Sequence, residues 1–332
     1  MRDQLRRLLV CPACHGPLRW EVSEKAGGRI QEGSARCTEC DVAYPVHRGI
    51  GVFLTSLPRP EDLWDEANRE IASFLRDEPE RVRKLMEAPL EALNPTDQFV
   101  RGLLLEERKE FGPAKIATDL AVEGMYPVQY RTAWTSQMRF VKQQLARGRG
   151  PVVDLASGMG MLLEFLLPEA TEQFVGTDVS PRVLIRDQTV FRSLGLGERL
   201  SLLAFDARRS PFADRSVPTL ITNVGLGNIE NPGSLLKELR RVVADRFLAI
   251  TVFFPEEEGP NAEEIRRLKL DSLSYRGSAM ARFEEAGFRV QMHNSQKVTA
   301  RPTPRGKIMS EIQPDRLPVV ETEVEWCTLV AH

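Results

Sequence analysis

Pro151-Val-Val-Asp-Leu-Ala-Ser-Gly-Met-Gly160 is the stretch that decides the fold of this 332-residue chain. It reads as a short apolar strand, a turn of small residues, and then a helix that begins at Met161. Small residues let the backbone approach a ligand closely, and a helix N-terminus offers free N–H groups. The stretch therefore predicts a ligand-binding loop at the end of a strand in an α/β sheet.

The charge of this loop indicates which kind of ligand it binds. A dinucleotide-binding loop carries Gly-x-Gly-x-x-Gly/Ala, but the third position counted from Gly158 is Leu163, so that fingerprint fails. Asp154 lies at the end of the strand, four residues before Gly158. A carboxylate there would repel a pyrophosphate and attract a cation, so the loop predicts a positively charged ligand.

Acidic residues also follow the next two predicted strands. Phe174 to Asp178 is a strand that ends in an acid 20 residues after the first loop glycine, and Leu200 to Phe205 is followed by Asp206. An acid at the end of the second strand can bind both hydroxyls of a ribose. Thr219 to Asn223 and Phe247 to Phe254 are the fourth and fifth strands, so the order predicts a parallel α/β sheet.

Asp154-x-Ala156-x-Gly158-x-Gly160 resembles the first motif of class I S-adenosylmethionine-dependent methyltransferases, Asp/Glu-x-Gly-x-Gly-x-Gly, with Ala156 at its first glycine. The resemblance covers about residues 126–332 and implies a Rossmann-like seven-stranded sheet. Its last two strands, Phe288 to Val298 and Val319 to Val330, would form an antiparallel hairpin, and the acid after the third strand would face adenine. The residues predicted to bind S-adenosylmethionine are Asp154, Ala156, Ser157, Gly158, Gly160, Asp178, Val179, Asp206, Ala207 and Asn223.

Four of the five cysteines form two Cys-x-x-Cys knuckles separated by 22 residues, namely Cys11, Cys14, Cys37 and Cys40. This spacing predicts a tetrahedral zinc site. Two disulfides are disfavoured in a cytoplasmic protein, and a redox dithiol is disfavoured because no βαβ pattern surrounds the knuckles. Four thiolates leave no position for water, so the zinc is predicted to be structural. His15 is predicted to be a bystander.

The segments LLVCPACHGPL, CTEC and VAYPVHRGIGVFL resemble the small zinc-ribbon family that activates tRNA, rRNA and protein methyltransferases as a separate subunit. The match covers about residues 3–54, with Arg48 where the family usually carries an acid. The resemblance implies a docking or stabilising module, with a protein partner or self-association through the ribbon as its possible contacts. We predict a zinc ribbon over residues 1–57, a helical linker or cap over 58–125 and the methyltransferase domain over 126–332.

The connecting region has two interpretations, and the sequence leaves both open. Glu61 to Arg76 and Gln129 to Ala146 are predicted helices, and prolines divide the stretch between them. Tyr126, Tyr130 and Trp134 either pack inside a helical cap or line a substrate entrance.

Composition excludes several classes of protein. The chain is 42% hydrophobic and 28% charged, which is ordinary for a globular protein and argues against disorder. It carries 45 Lys and Arg against 47 Asp and Glu, so it has no basic nucleic-acid footprint. The longest apolar run is too short for a membrane helix, and the charged N-terminus lacks a secretory core. We therefore expect a cytoplasmic protein without membrane contact.

The predicted activity is methyl transfer from S-adenosylmethionine to an O, N or activated C acceptor on a small molecule, a protein or an RNA, with a small molecule favoured. Exocyclic amines of nucleobases are disfavoured because the loop after the fourth strand lacks an Asn/Asp-Pro-Pro-aromatic sequence. Carbon-5 of pyrimidines is disfavoured because no cysteine lies near that loop. No catalytic residue is predicted. His293, Tyr275, Tyr126 and Glu164 are acid–base candidates whose structural interpretation is stronger.

Two alternatives remain open. The changed first glycine is compatible with a catalytically silent scaffold that binds the cofactor and recruits a partner through the ribbon. A further alternative is that the ribbon contacts nucleic acid through its arginines, which are Arg2, Arg6, Arg7, Arg36 and Arg48.

Overall fold

The computed structural model describes residues 1–55, 76–146 and 150–332, and a single sheet of eleven strands runs through this part of the chain. The strands are β1 (Leu18–Ala26), β2 (Arg29–Cys37), β3 (Ala43–His47), β4 (Ile50–Val52), β5 (Val152–Asp154), β6 (Phe174–Asp178), β7 (Leu200–Ala204), β8 (Val217–Asn223), β9 (Val243–Phe253), β10 (Val290–Ala300) and β11 (Thr322–Ala331). The helix predicted over Glu61 to Arg76 lies outside the described residues apart from its last residue.

Ten α-helices accompany the sheet in the described residues. They are α1 (Pro79–Glu87), α2 (Pro95–Glu107), α3 (Phe111–Met125), α4 (Val128–Leu145), α5 (Met161–Leu166), α6 (Pro181–Ser193), α7 (Pro232–Val242), α8 (Pro260–Arg267), α9 (Asp271–Ser274) and α10 (Arg276–Glu285). None of the described helices is long and apolar enough to cross a bilayer.

The seven predicted strands are present and lie in the order β7-β6-β5-β8-β9-β11-β10. The pairs from β7 through β9 are parallel, whereas β11 is antiparallel to both β9 and β10. All residues of β5, β6 and β7 are buried, as expected for central strands that helices cover on both faces. The predicted Rossmann-like sheet with a terminal antiparallel hairpin is therefore confirmed.

The ribbon extends this sheet, which the sequence did not predict. Strand β4 pairs in parallel with β7, with Ile50 opposite Leu202 and Val52 opposite Ala204. The pairing continues beyond β4, where the Phe53 N–H donates to the Ala204 carbonyl at 2.7 Å. The edge that β7 would otherwise leave open is thereby covered by a strand of the same chain.

Side chains of the ribbon and of the larger domain share one apolar core. Leu9, Tyr44 and Phe53 of the ribbon belong to the same buried cluster as Leu203 and Phe212. The Tyr44 and Phe53 rings stack with centroids 5.4 Å apart. The ribbon is therefore anchored by backbone pairing and by apolar burial together. The predicted domain boundary at residue 57 lies outside the described residues, and the domain limits remain predictions.

The helices before β5 form a cap that is tied to the long connection between β10 and β11. The fully buried Asp97 carboxylate of α2 accepts the N–H groups of Lys307, Ile308 and Met309, each at 2.9 Å. Asn94 caps α2 through the Asp97 N–H and also donates to the Arg305 carbonyl at 2.6 Å. These hydrogen bonds thus hold the cap and the β10–β11 connection together beside the sheet.

We expect Asp97→Ala to lower the free energy of unfolding by at least about 3 kcal/mol, because three backbone N–H groups would lose a charged acceptor. Denaturant unfolding measures this change. Asp119→Ala on α3 is the matched control, since that carboxylate is 61% exposed and pairs only with Lys115. The control should cost at most about 1 kcal/mol. Equal losses in the two variants would contradict the role assigned to Asp97.

Candidate active site and metal site

The loop between β5 and α5 adopts a backbone that suits close approach of a ligand. Ala156, Gly158 and Gly160 have φ angles of 51°, 53° and 72°, all in the left-handed region. This conformation is free for glycine but costs an alanine about 1 kcal/mol. The loop is held from one side by β6, because the Ser157 N–H donates to the Thr177 carbonyl at 2.8 Å. The alanine thus keeps the glycine-type conformation under strain.

The acid at the end of β6 lies against this loop. Asp178 Oδ2 accepts the Gly158 N–H at 3.1 Å, and its Oδ1 accepts the Ser180 N–H at 3.0 Å. Val179 follows it and is half-buried. The first two strand-end acids and the loop therefore converge at one edge of the sheet.

Asp154 contributes a buried carboxylate with an unmatched oxygen. The residue is 1% exposed, and its Oδ1 has no hydrogen-bond partner within the described part of the chain. Burial, together with the negative charges of Asp187 and Asp178, raises the pKa of Asp154 well above its usual value. A bound cation would offset both effects, so this residue fits a positively charged ligand.

The third strand-end acid is engaged by a neighbouring cation. Asp206 follows β7 and is buried together with Ala207. Its carboxylate accepts hydrogen bonds from Arg208, at 3.0 Å from Nε and 2.9 Å from Nη2. The structure therefore places Asp206 where the sequence predicted it, but with its orientation fixed by Arg208.

Asn223 ends β8, the strand next to β5, and it contacts an aromatic group of the cap. Its Oδ1 accepts a hydrogen bond from Trp134 Nε1 at 2.9 Å. We use the term aromatic cluster for Tyr126, Tyr130, Trp134 and Trp326. Within it, Tyr126 stacks on Tyr130 at 5.3 Å and Trp134 stacks on Trp326 at 5.7 Å. These aromatic side chains thus pack against one another and, through Trp134, also lie next to the predicted site.

A further acid, Asp187 on α6, was missed in the sequence. It is fully buried, and its Oδ1 accepts a hydrogen bond from Arg186 Nη1 at 2.8 Å. Its Oδ2 is buried and has no hydrogen-bond partner among the described residues. The available signal was helical periodicity, because Asp187 lies on the same face as the buried Leu184 and Phe191. An acidic residue on the apolar face of a helix is expected to be buried, and its carboxylate then needs a partner inside the protein.

Burial raises the pKa of Asp187 to about 7, although the adjacent Arg186 guanidinium opposes the shift. Arg186 itself is bound by a carboxylate of the cap, with Nε and Nη2 each 2.7 Å from an oxygen of Glu106. The same guanidinium donates to the Met159 carbonyl in the loop at 3.0 Å. Arg186 thus joins the cap, α6 and the predicted cofactor loop.

The four acid–base candidates have different surroundings. His293 stacks on Phe140 with ring centroids 5.7 Å apart, and Glu164 forms an ion pair with Lys115 at 2.8 Å. Tyr275 precedes α10 as its N-cap. The fourth, Tyr126, donates to Asp315 Oδ2 at 2.7 Å within the aromatic cluster. Burial raises the pKa of both Tyr126 and Asp315, so the phenol is neutral at physiological pH.

The four knuckle cysteines converge at the tip of the ribbon. Their sulfur atoms all lie within 4.8 Å of one another, with 3.6 Å between Cys11 and Cys40 and 3.4 Å between Cys14 and Cys37. Tetrahedral zinc with bonds of about 2.3 Å requires sulfur–sulfur distances of about 3.8 Å. All four are free thiols. The donor set therefore fits a tetrahedral thiolate-bound metal.

The surroundings of Cys37 favour its thiolate, whereas the pKa values of the Cys14 and Cys40 thiols, which are hydrogen-bonded to the other cysteines, are raised. Burial raises the pKa of Cys37, but the N–H groups of Cys40 and Glu39 outweigh it and bring the value to about 7. The Tyr44 hydroxyl lies 3.2 Å from Cys11 Sγ. His15 is exposed and is not among the four clustered ligands, as predicted.

Comparisons with known proteins agree with this architecture. A family model described as Methyltransferase domain matches residues 152–246, and one described as Trm112p-like protein matches residues 5–49. A UPF0434 protein of Methylobacillus flagellatus is 34% identical over 67 residues, which are 19% of this chain and 98% of that protein.

Among solved structures, the YcgJ protein of Bacillus subtilis is 14% identical with a TM-score of 0.46, covering 59% of this chain and 97% of its own. A SAM-dependent methyltransferase of Aquifex aeolicus is 16% identical with a TM-score of 0.40, covering 58% and 88%. Geranyl diphosphate C-methyltransferase of Streptomyces coelicolor is 15% identical with a TM-score of 0.44, covering 59% and 75%.

The strand order and the loop at the end of β5 define an enzyme of the S-adenosylmethionine-dependent methyltransferase class, and the methyltransferase family model matches this region. The N-terminal part of the chain belongs to the Trm112p-like family. The chain is thus a methyltransferase with a Trm112p-like domain at its N-terminus.

We expect Cys37→Ser to reduce bound metal below one ion per chain and to lower the melting temperature markedly, because a thiolate ligand is lost. Elemental analysis and thermal unfolding measure the two effects. Cys327→Ala is the control, since Cys327 is buried in β11 and lies outside the cysteine cluster. Retention of a full metal equivalent in Cys37→Ser would contradict the proposed site.

The raised pKa of Asp187 predicts a pH dependence of stability. Its value rises from 3.8 to about 7 on folding, so the folded chain holds this proton more tightly than the unfolded chain. The resulting stability is complete below about pH 4 and is lost as the pH rises through 7. Asp187→Asn should therefore flatten the fall in melting temperature between about pH 5 and pH 8 in the cofactor-free protein. A profile parallel to wild type would refute this.

Proposed function

We propose that the protein transfers the methyl group of S-adenosylmethionine to a small acceptor with an apolar or aromatic body, bound beneath the cap. The observation that carries this proposal is the 2.9 Å hydrogen bond between Trp134 and Asn223. It joins the aromatic cluster of the cap to the end of the strand beside β5. An acceptor at this edge would therefore meet aromatic surface next to the predicted cofactor loop.

The chain offers a complementary environment for the cofactor. Asp154 would face its positive charge, Asp178 its ribose, and Asp206 with Ala207 its adenine. Val179 and Asn223 would complete the walls, and the backbone from Ala156 to Gly160 would lie against the ligand. When bound, this cofactor supplies a methyl group that is already activated on a sulfonium. The remaining task of the chain is to align the acceptor and to exclude water.

The contacts between the cap and the β10–β11 connection favour a small acceptor. Asp97 binds three N–H groups of the connection between β10 and β11, and Tyr126 binds Asp315 of the same connection. Both bonds close the cap onto that connection. A site covered by a cap that buried hydrogen bonds hold in place suits a small molecule better than a folded protein or a nucleic-acid duplex.

The charge near the aromatic cluster supports the same class. The ionisable group that bonds to one of its rings is the carboxyl of Asp315, which is buried. A carboxyl supplies no positive charge to pair with the phosphates of an RNA acceptor, whereas aromatic faces favour an apolar or π-rich body. Among the ribbon arginines, Arg6 and Arg36 are ion-paired with Asp3 and Asp41, which gives a phosphate fewer free donors.

We further propose that the ribbon carries structural zinc and stabilises the methyltransferase domain of its own chain. The parallel pairing of β4 with β7 supports this role over recruitment of a separate partner. A cytoplasmic location suits the four thiols, because a reducing compartment keeps them available for metal.

The test uses S-adenosylmethionine labelled on its methyl group, incubated with the enzyme and with separated small-molecule, protein and RNA fractions of a cell extract. Label is expected in the small-molecule fraction. Trp134→Phe should raise the acceptor KM several-fold and raise the cofactor Kd by less, because it removes part of the aromatic surface and also frees Asn223, which would line the cofactor site. Trp20→Phe in the ribbon is the matched control.

Calorimetry separates the two parts of the proposal. Wild type should bind S-adenosylmethionine, and Asp178→Ala should bind it at least about tenfold more weakly, since two backbone contacts and the ribose acceptor are lost. Absence of binding by wild type would overturn the cofactor assignment. Label in RNA or protein would overturn the small acceptor, and binding without transfer to any fraction would favour a silent scaffold.

A further inference from the structure

Glu106, Arg186 and Asp187 form a charged group behind the cofactor loop that methyl transfer does not require. Arg186 lies between the two acids, with contacts of 2.7 Å to Glu106 and 2.8 Å to Asp187. The side chain of Glu106 is 13% exposed and that of Asp187 is 0% exposed. When Asp187 is ionised, at a pH above its pKa of about 7, two carboxylates and one guanidinium leave one net negative charge in this group. A retained buried charge is costly and calls for a compensating partner.

The geometry directs this charge toward the loop. Gly160 packs so closely on α6 that an added Cβ would lie 2.8 Å from Phe191 and 3.7 Å from Asp187 Oδ2. Arg186 holds the loop from the same side through the Met159 carbonyl. Arg186 binds only Oδ1 of Asp187 among the described residues, and Oδ2, the oxygen nearer the loop glycine, has no hydrogen-bond partner there. The charge thus lies directly behind the loop backbone.

We propose that Asp187 is a positioning residue for S-adenosylmethionine, acting through the loop backbone and through its charge, and that Glu106 makes this action depend on the cap. The inference rests on the proposed function. Asp187 and Asp154 interact electrostatically, and both carry an unmatched oxygen. A cationic cofactor bound at the loop would therefore be attracted by Asp154 at the end of β5 and by Asp187 on α6.

The proposal also assigns a role to the cap. The carboxylate of Glu106 belongs to α2, whereas Arg186 and Asp187 belong to α6. Removing Glu106 would leave Arg186 to neutralise Asp187 alone, so the net charge behind the loop would fall to zero. Displacement of the cap would do the same. Cofactor binding is thereby favoured when the cap is in place.

The test compares S-adenosylmethionine with S-adenosylhomocysteine, which lacks the methyl group and the sulfonium charge but keeps the rest of the molecule. Calorimetric Kd values are measured for wild type, Asp187→Asn and Glu106→Gln. Asp187→Asn should weaken binding of the methylated cofactor about tenfold more than binding of the demethylated one. Glu106→Gln should change the ratio of the two Kd values, methylated over demethylated cofactor, in the same direction. A purely structural role would weaken both ligands equally.

Glu107→Gln is the matched control, because Glu107 is the next residue on α2 and, among the described residues, its carboxylate makes only an exposed contact of 3.7 Å with Arg182. Its Kd ratio should equal that of wild type. Thermal unfolding of each variant identifies loss of fold, and Glu106→Gln keeps the proposal testable if Asp187→Asn fails to fold. Unchanged ratios in both test variants, with wild type still binding and transferring methyl, would overturn this inference alone. Failure of wild type to bind would overturn the proposed function instead.

Discussion

Burial of negative charge around one loop is the constraint on which the rest of this enzyme depends. Transfer of an ionised carboxylate out of water costs several kcal/mol even in a real protein interior. The fold meets this cost in different ways at its acids: backbone N–H groups bind Asp178, and Arg186 binds Asp187. Asp154 keeps an oxygen without a partner in the described chain. A cationic ligand beside Asp154 would offset this cost, which agrees with the cofactor proposed for the site.

The second organising feature is the continuity of the sheet. Four ribbon strands join the seven strands of the methyltransferase core, and residues of both parts pack into one apolar cluster. The cysteine cluster sits at the ribbon, whereas the cofactor loop lies at the end of β5. The proposed metal site and the proposed cofactor site thus lie in different parts of one sheet, connected through β4, β7 and β6.

The sequence predicted those features that local pattern encodes. The strand before the loop, the acids at strand ends and the paired cysteines each depend on spacing within short segments, and the structure brings them together as expected. Contacts between segments that are distant along the chain could not be predicted from the sequence. Nothing local shows that Glu106 meets Arg186 some 80 residues later, or that Trp134 meets Asn223. The pairing of β4 with β7 uses backbone groups, which carry no side-chain signature.

Covalent fusion changes what the ribbon can do. Members of a two-subunit assembly separate on dilution, whereas two parts of one polypeptide meet at an effective concentration that their linker fixes. Here the β4–β7 junction forms within a single chain, so its occupancy is independent of expression level, and each catalytic domain receives one ribbon. Regulation by exchanging or withholding an activator subunit is thereby given up in return for a constant, self-contained stoichiometry.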